Sequence, residues 1–199
     1  MSAADIKYGE GVARWAPDAR GRLEQAAMEL FVERGYEHVT VAEIAARAGL
    51  TERTFFRHFA DKREVLFPEA AAIEAMLAET VVAAPPDVTP IEAVERALQR
   101  VGAIIQERGD WARLRHSVVA VNAELREREL IKMESWATAL ADALQRRGVK
   151  APAARLTAEA GIAAFRVAFA QWVEHPTRRS VARLIRQSFE QLRAVAAGQ

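Results

Sequence analysis

Residues 38–67 read HVTVAEIAARAGLTERTFFRHFADKREVLF, and this stretch decides the fold. Thr40 is followed three positions later by Glu43, the spacing of a capping box that satisfies otherwise orphaned N–H groups at a helix start. Ile44, Ala45 and Ala48 then put small apolar groups on one face, so another helix can approach closely. Gly49 follows where a helix closes on a left-handed residue, a conformation that glycine adopts without steric cost. Thr51 can cap a second helix, TERTFFRHF, whose Phe55 and Phe59 stand four apart and face inward. Helix, glycine turn and helix make a helix-turn-helix unit, whose second helix enters the DNA major groove.

The second helix has suitable chemistry for that groove. Its first turn carries Thr51, Glu52, Arg53 and Thr54. Arg53 can bond guanine through two donors, and Thr54 can touch a thymine methyl or a base edge. Arg57, His58, Lys62 and Arg63 follow as phosphate contacts, which position a protein without reading sequence. Residues 44–63 hold five Lys and Arg against Glu52 and Asp61, although the whole chain carries a net charge of only +1. A solvated charged face on an ordinary helical hairpin would use the same residue types.

The run Thr40…Glu43-Ile44-Ala45…Ala48-Gly49-Leu50-Thr51…Thr54-Phe55-Phe56-Arg57-His58-Phe59…Lys62 resembles the DNA-binding domain of the TetR family of bacterial transcription regulators. The preceding helix, with Ala26, Leu30, Phe31 and the Gly35-Tyr36 turn, fits as well, so the resemblance spans roughly residues 20–67. It implies a DNA-binding set of Thr40, Thr51, Glu52, Arg53, Thr54, Phe56, Arg57, His58 and Lys62. The family usually has Tyr where this chain has Phe56, so a hydroxyl contact to phosphate is missing and the ring must serve by packing. The resemblance further implies a cytoplasmic repressor that binds a pseudo-palindromic double-stranded operator as a homodimer and is released by a small-molecule effector.

The rest of the chain bounds this expectation. The expected fold is all-α, with about nine helices in three parts: a loose arm over 1–17, a three-helix DNA-binding domain over 18–67, and a helical effector-binding and dimerisation domain over 68–199. Cysteine is absent, which excludes disulfides and thiolate metal sites. No apolar run is long enough to span a membrane, and residues 1–17 lack the apolar core of a signal peptide. Helical stripes run over 18–34, from Asp61 through Val65, Leu66 and Phe67, and again beyond Pro68 through Ile73, Leu77 and Val81. The second stripe predicts one helix shared by both domains and jointed at Pro68. Ala84-Pro85-Pro86-Asp87 breaks the chain. Helices follow from about 90 to 108, 111 to 121, 122 to 147, 151 to 174 (closed by Pro176) and 177 to 196.

The helix over 151–174 is apolar on most of its circumference, so it is buried on most faces. By resemblance it pairs with the last helix across a two-fold axis, with Val167, Trp172, Val181, Leu184, Ile185 and Leu192 at the dimer interface. Trp111, His116, Asn122, Trp136, Phe165, Arg166 and Phe169 are the expected effector pocket, with Arg166 as an anchor for an anion. Such aromatic residues at helical spacing serve equally as core. No histidine or carboxylate has metal-ligand or catalytic spacing, and there is no phosphate loop or nucleophile motif, so no enzyme, metal or cofactor is expected. A ligand-independent DNA-binding dimer and a helical enzyme or scaffold with a borrowed N-terminus are the competing classes.

Overall fold

The computed structural model describes residues 19–67, 70–175 and 180–198. Among them are nine α-helices and no strand. The N-terminal arm, the Pro68 joint, and Pro176 with the expected start of the last helix lie outside the described residues. The chain divides into two compact units between Leu66 and Phe67, so Phe67 groups with the second unit rather than the first.

The first unit holds α1 (Ala19–Arg34), α2 (Val41–Arg47) and α3 (Glu52–His58), with 3₁₀ turns at Tyr36–His38 and Arg63–Leu66. Leu23, Ala27, Leu30 and Phe31 of α1 form one wall of its core, with Ile44, Phe55, Phe59, Val65 and Leu66 also buried. Asp61 Oδ1 accepts from the N–H groups of Arg63 (2.8 Å) and Glu64 (3.1 Å), which closes a short 3₁₀ turn at this point. The helix expected to run from Asp61 past Pro68 is therefore two segments: this turn, and α4 beginning at Ala70.

The second unit contains α4 (Ala70–Val82), α5 (Pro90–Glu107), α6 (Gly109–Ala120), α7 (Ala123–Arg146), α8 (Ala151–Glu174) and α9 (Val181–Ala196). α7 packs on α4 and α8, and α9 packs on α5 and α8. A Cβ built on Gly161 would stand 2.4 Å from Val94 Cγ1, so glycine is what lets α8 approach α5 this closely. Arg147, just past α7, clamps the α4–α5 connection. Its guanidinium donates to the carbonyls of Val81 (3.1 Å), Ala84, Pro85 (3.0 Å) and Val88 (3.1 Å). The planar fork of arginine suits four acceptors on one strand of backbone.

Most of the residues expected at a dimer interface point into the subunit itself. Val181, Leu184 and Ile185 of α9 and Trp172 of α8 are buried in the subunit's own core, and Leu192 packs against it. The N-terminal half of the α9 stripe packs on α5 and α8. Val167 alone of that set is substantially exposed, at 49 %.

Candidate functional site

Local signals build the helix-turn-helix as the sequence leads one to expect. Glu43 Oε2 accepts from the Thr40 N–H (2.9 Å) and hydroxyl (2.8 Å), while the Thr40 hydroxyl accepts from the Glu43 N–H (3.2 Å). The Thr40 N–H and hydroxyl, followed by the Arg34 guanidinium, hold the Glu43 carboxyl below its ordinary range. Gly49 has φ +64°; Leu50 N–H bonds Ala45 O (2.8 Å) and Gly49 N–H bonds Ala46 O (3.0 Å), the paired bonds of a Schellman close. The Arg22 guanidinium reaches from α1 to Ala48 O, and a Cβ on Gly49 would stand 2.8 Å from it. Thr51 caps α3 by accepting from Thr54 N–H at 3.2 Å.

These constraints turn one face of α3 outward. Phe55 and Phe59 are buried with ring centroids 5.3 Å apart, while Glu52, Arg53, Phe56 and Arg57 are exposed. No side-chain hydrogen bond or ion pair among the described residues holds Arg53 or Arg57. The neighbouring cations differ. Arg47 makes a bidentate pair with Glu33 (3.0 and 2.9 Å), a bond that also lowers the Glu33 pKa. Arg63 pairs with Asp61 at 2.6 Å; burial pushes that carboxyl up, but the Arg63 and backbone bonds outweigh it and the net shift is downward. Lys62 Nζ donates to Tyr36 O (2.9 Å) and Val39 O (3.0 Å) and lies 4.0 Å from the Tyr36 ring centroid. Its ammonium is thus an internal tie before it is anything else. Thr40 is likewise occupied by its cap, and His58 is half-buried, with Nε2 buried and unpartnered.

In the second unit, the residues expected to line a pocket divide into an aromatic group, a helix cap and an exposed arginine. Trp136 packs edge-on to Phe165 (5.7 Å), Phe165 stacks with Phe169 (6.2 Å, interplanar angle 14°), and Phe169 meets His116 (5.6 Å) and Trp172 (5.8 Å). Trp111 is half-buried under Arg108, whose Cζ lies 4.3 Å from its ring centroid. Asn122 instead caps α7, its Oδ1 accepting from Leu125 N–H at 3.2 Å. Arg166 is exposed on α8. The residue missed from sequence is Arg113, whose guanidinium stacks 3.9 Å from the Trp172 ring centroid. Nothing in the spacing of either helix announces a pairing across two helices. A separate open cleft of ≈ 470 Å³ lies between α4 and α7, lined by Ala71, Glu74, Ala78, Ala139, Asp142 and Arg146 among others.

The outward face of α8 carries Leu156, Ala160, Ala163, Val167 and Ala170, spaced alternately by four and three. Leu156 is 72 % exposed, so this stripe is not part of the subunit's core. Among the described residues, no helix is long and apolar enough to cross a membrane, and no cluster of His, Asp and Glu could hold a metal.

Comparison with known proteins agrees with this geometry. Residues 24–67 match the family model of bacterial regulatory proteins of the tetR family, and residues 88–197 match that of the MftR C-terminal domain. The transcriptional regulator TcmR of Streptomyces glaucescens is 39 % identical over 82 residues, which are 41 % of this chain and 36 % of TcmR. The transcriptional activator FasR of Mycolicibacterium smegmatis is 44 % identical over 48 residues, 24 % of this chain and 22 % of FasR. These alignments span about a third of the relatives' length or less. Among solved structures, SmeT with triclosan superposes with a TM-score of 0.64 at 20 % identity, covering 89 % of this chain and 90 % of SmeT. Thermus thermophilus FadR with lauroyl-CoA gives 0.56 at 21 % identity, covering 87 % and 92 %.

Proposed function

The chain belongs to the TetR family of bacterial regulatory proteins, and from that premise we propose that it represses transcription as a homodimer on a pseudo-palindromic DNA operator and lets go when a small-molecule effector binds its second unit. The carrying observation is the outward face of α3, where Arg53 and Arg57 are free of internal partners beside exposed Phe56. A short rigid helix with cations on its open side has the shape and charge that a major groove accepts. The named relatives are transcriptional regulators, not enzymes.

Dimerisation rests on the α8 stripe. Five small or medium apolar residues at alternating spacing suit close packing of two copies of one helix, and an isologous pair would carry two α3 helices to two half-sites. Effector response rests on the aromatic cluster of α6, α7 and α8. An effector shifts the DNA-binding equilibrium only by its difference in affinity for the two conformers. The test begins with selection of binding sites from a random duplex pool by the full chain. A two-fold symmetric consensus is the expected result. The selected duplex is then titrated with the chain in the presence of small molecules of varied chemistry. Release by at least one class supports the effector reading, and operator affinity unchanged by all of them makes the protein a ligand-independent binder.

A further inference from the structure

The aromatic cluster of the second unit holds several buried polar atoms without hydrogen-bonding partners among the described residues. They are Trp136 Nε1, Trp172 Nε1, Arg113 Nε and His116 Nδ1, with Trp111 Nε1 at the start of the same helix as Arg113. The contacts given above join four of these residues into one group: Trp136 through Phe165 and Phe169 to His116 and Trp172, and from Trp172 to Arg113. Buried polar groups are nearly always satisfied, so a concentration of exceptions needs a cause.

The chemistry of the exceptions is one-sided. An indole N–H and the Nε–H of a guanidinium can only donate; the histidine nitrogen can take either role with its tautomer. Arg113 pairs with the carboxylate of Asp110, 3.9 Å from its Nη1 and fully exposed, so that partner faces water rather than the rings. The rings are in contact with one another, Phe165 and Phe169 stacked nearly parallel.

We infer that this cluster is the effector site and takes a flat aromatic molecule bearing hydrogen-bond acceptors, such as ring carbonyl or carboxylate oxygens, and no positive charge. The inference rests on the effector reading and specifies its ligand. Ring oxygens meet the unpartnered N–H groups, and Phe165, Phe169 and Trp172, in contact with one another in this conformer, part to stack on the plane of the ligand. A cationic ligand would bring further donors and a positive charge toward Arg113. An alkyl acid has one carboxylate to offer, no acceptor along its chain and no plane to stack.

The test uses the full chain and four probes: anthraquinone-2-carboxylate, anthracene-2-carboxylate, proflavine and decanoate. The first two share ring area and carboxylate and differ in two carbonyl acceptors. Proflavine is a flat cation with donors, and decanoate is an aliphatic acid. Binding is read by thermal shift and by quenching of tryptophan emission. The quinone should bind most tightly, exceeding the anthracene acid by roughly three- to tenfold for each N–H it satisfies. Proflavine should leave the melting temperature unmoved, and decanoate should shift it less than either ring acid. Trp136→Phe keeps a ring and removes one donor, so it should narrow the quinone-to-anthracene ratio; Trp172→Phe serves as the second variant if the first folds poorly. Equal binding of proflavine or decanoate, silence from all four probes, or a ratio unchanged in both variants overturns the inference. If decanoate or proflavine alone releases the operator, the ligand class is wrong while the effector reading stands. If no compound of any class releases it, the effector reading itself fails.

Discussion

Arg53 and Lys62 lie nine residues apart in the helix-turn-helix unit, and the structure gives their charges different work. Arg53 is exposed on α3, so its removal should leave folding unchanged. Arg53→Ala should weaken binding to the selected operator by about 1–3 kcal/mol and binding to random duplex much less. An equal loss on both would make Arg53 a phosphate contact. Lys62 ties the loop after α1 to the turn after α3 through two carbonyls and the Tyr36 face. Lys62→Met should lower the stability of the first unit by about 1–2 kcal/mol, because two half-buried carbonyls lose a charged donor. A chemical melt of the variant checks this. An unchanged melt together with a shallower salt dependence of DNA binding would assign the ammonium to phosphate instead.

At the scale of the element, the caps of α2 and α3 and the stripe of α9 show what a sequence displays and what it conceals. Thr40→Ala should cost about 1 kcal/mol by removing one side of the α2 capping box. The same box gives an acid dependence. The Glu43 carboxyl titrates below its ordinary 4.5 in the folded unit, so its stabilisation is present above that value and lost as pH falls through the lower folded one. The lowered Glu33 and Asp61 carboxyls act in the same direction. Thermal melts between roughly pH 6 and 3 should therefore show stability falling with acid, less steeply in Thr40→Ala. Equal slopes would mean that the Thr40 hydroxyl does not set the Glu43 titration. Capping residues, the Gly49 turn and the inward Phe55 and Phe59 were legible because each acts within four residues of itself. The α9 stripe was legible as apolar, but periodicity cannot say whose core a stripe enters. Ile185 meets Gly102 of its own chain, and a Cβ there would stand 2.8 Å from Ile185 Cδ1. Ile185→Glu should accordingly lose cooperative melting by several kcal/mol, because the carboxylate is buried without a partner. A folded, stable monomer in sedimentation would return Ile185 to an interface. The same limit applies to Asn122, whose polarity suggested a ligand and serves a cap.

At the scale of the whole molecule, the exposed α8 stripe is the apolar surface with the spacing of a helix pair. Val167→Glu adds a charge where the side chain is already half in water, so the subunit should keep its melting temperature at high dilution. In the dimer two such charges would face each other across the two-fold axis, and sedimentation should show monomers at micromolar concentration. Operator binding should weaken with it, because the second half-site no longer comes for the same encounter. A dimer that persists would move the interface off α8. The Arg147 clamp gathers the ends of helices. One guanidinium just past α7 holds Val81 O of α4 and the Ala84, Pro85 and Val88 carbonyls of the loop that leads into α5. Four carbonyls that would otherwise each need a donor of their own depend on one side chain, so these three helix ends stay together or part together.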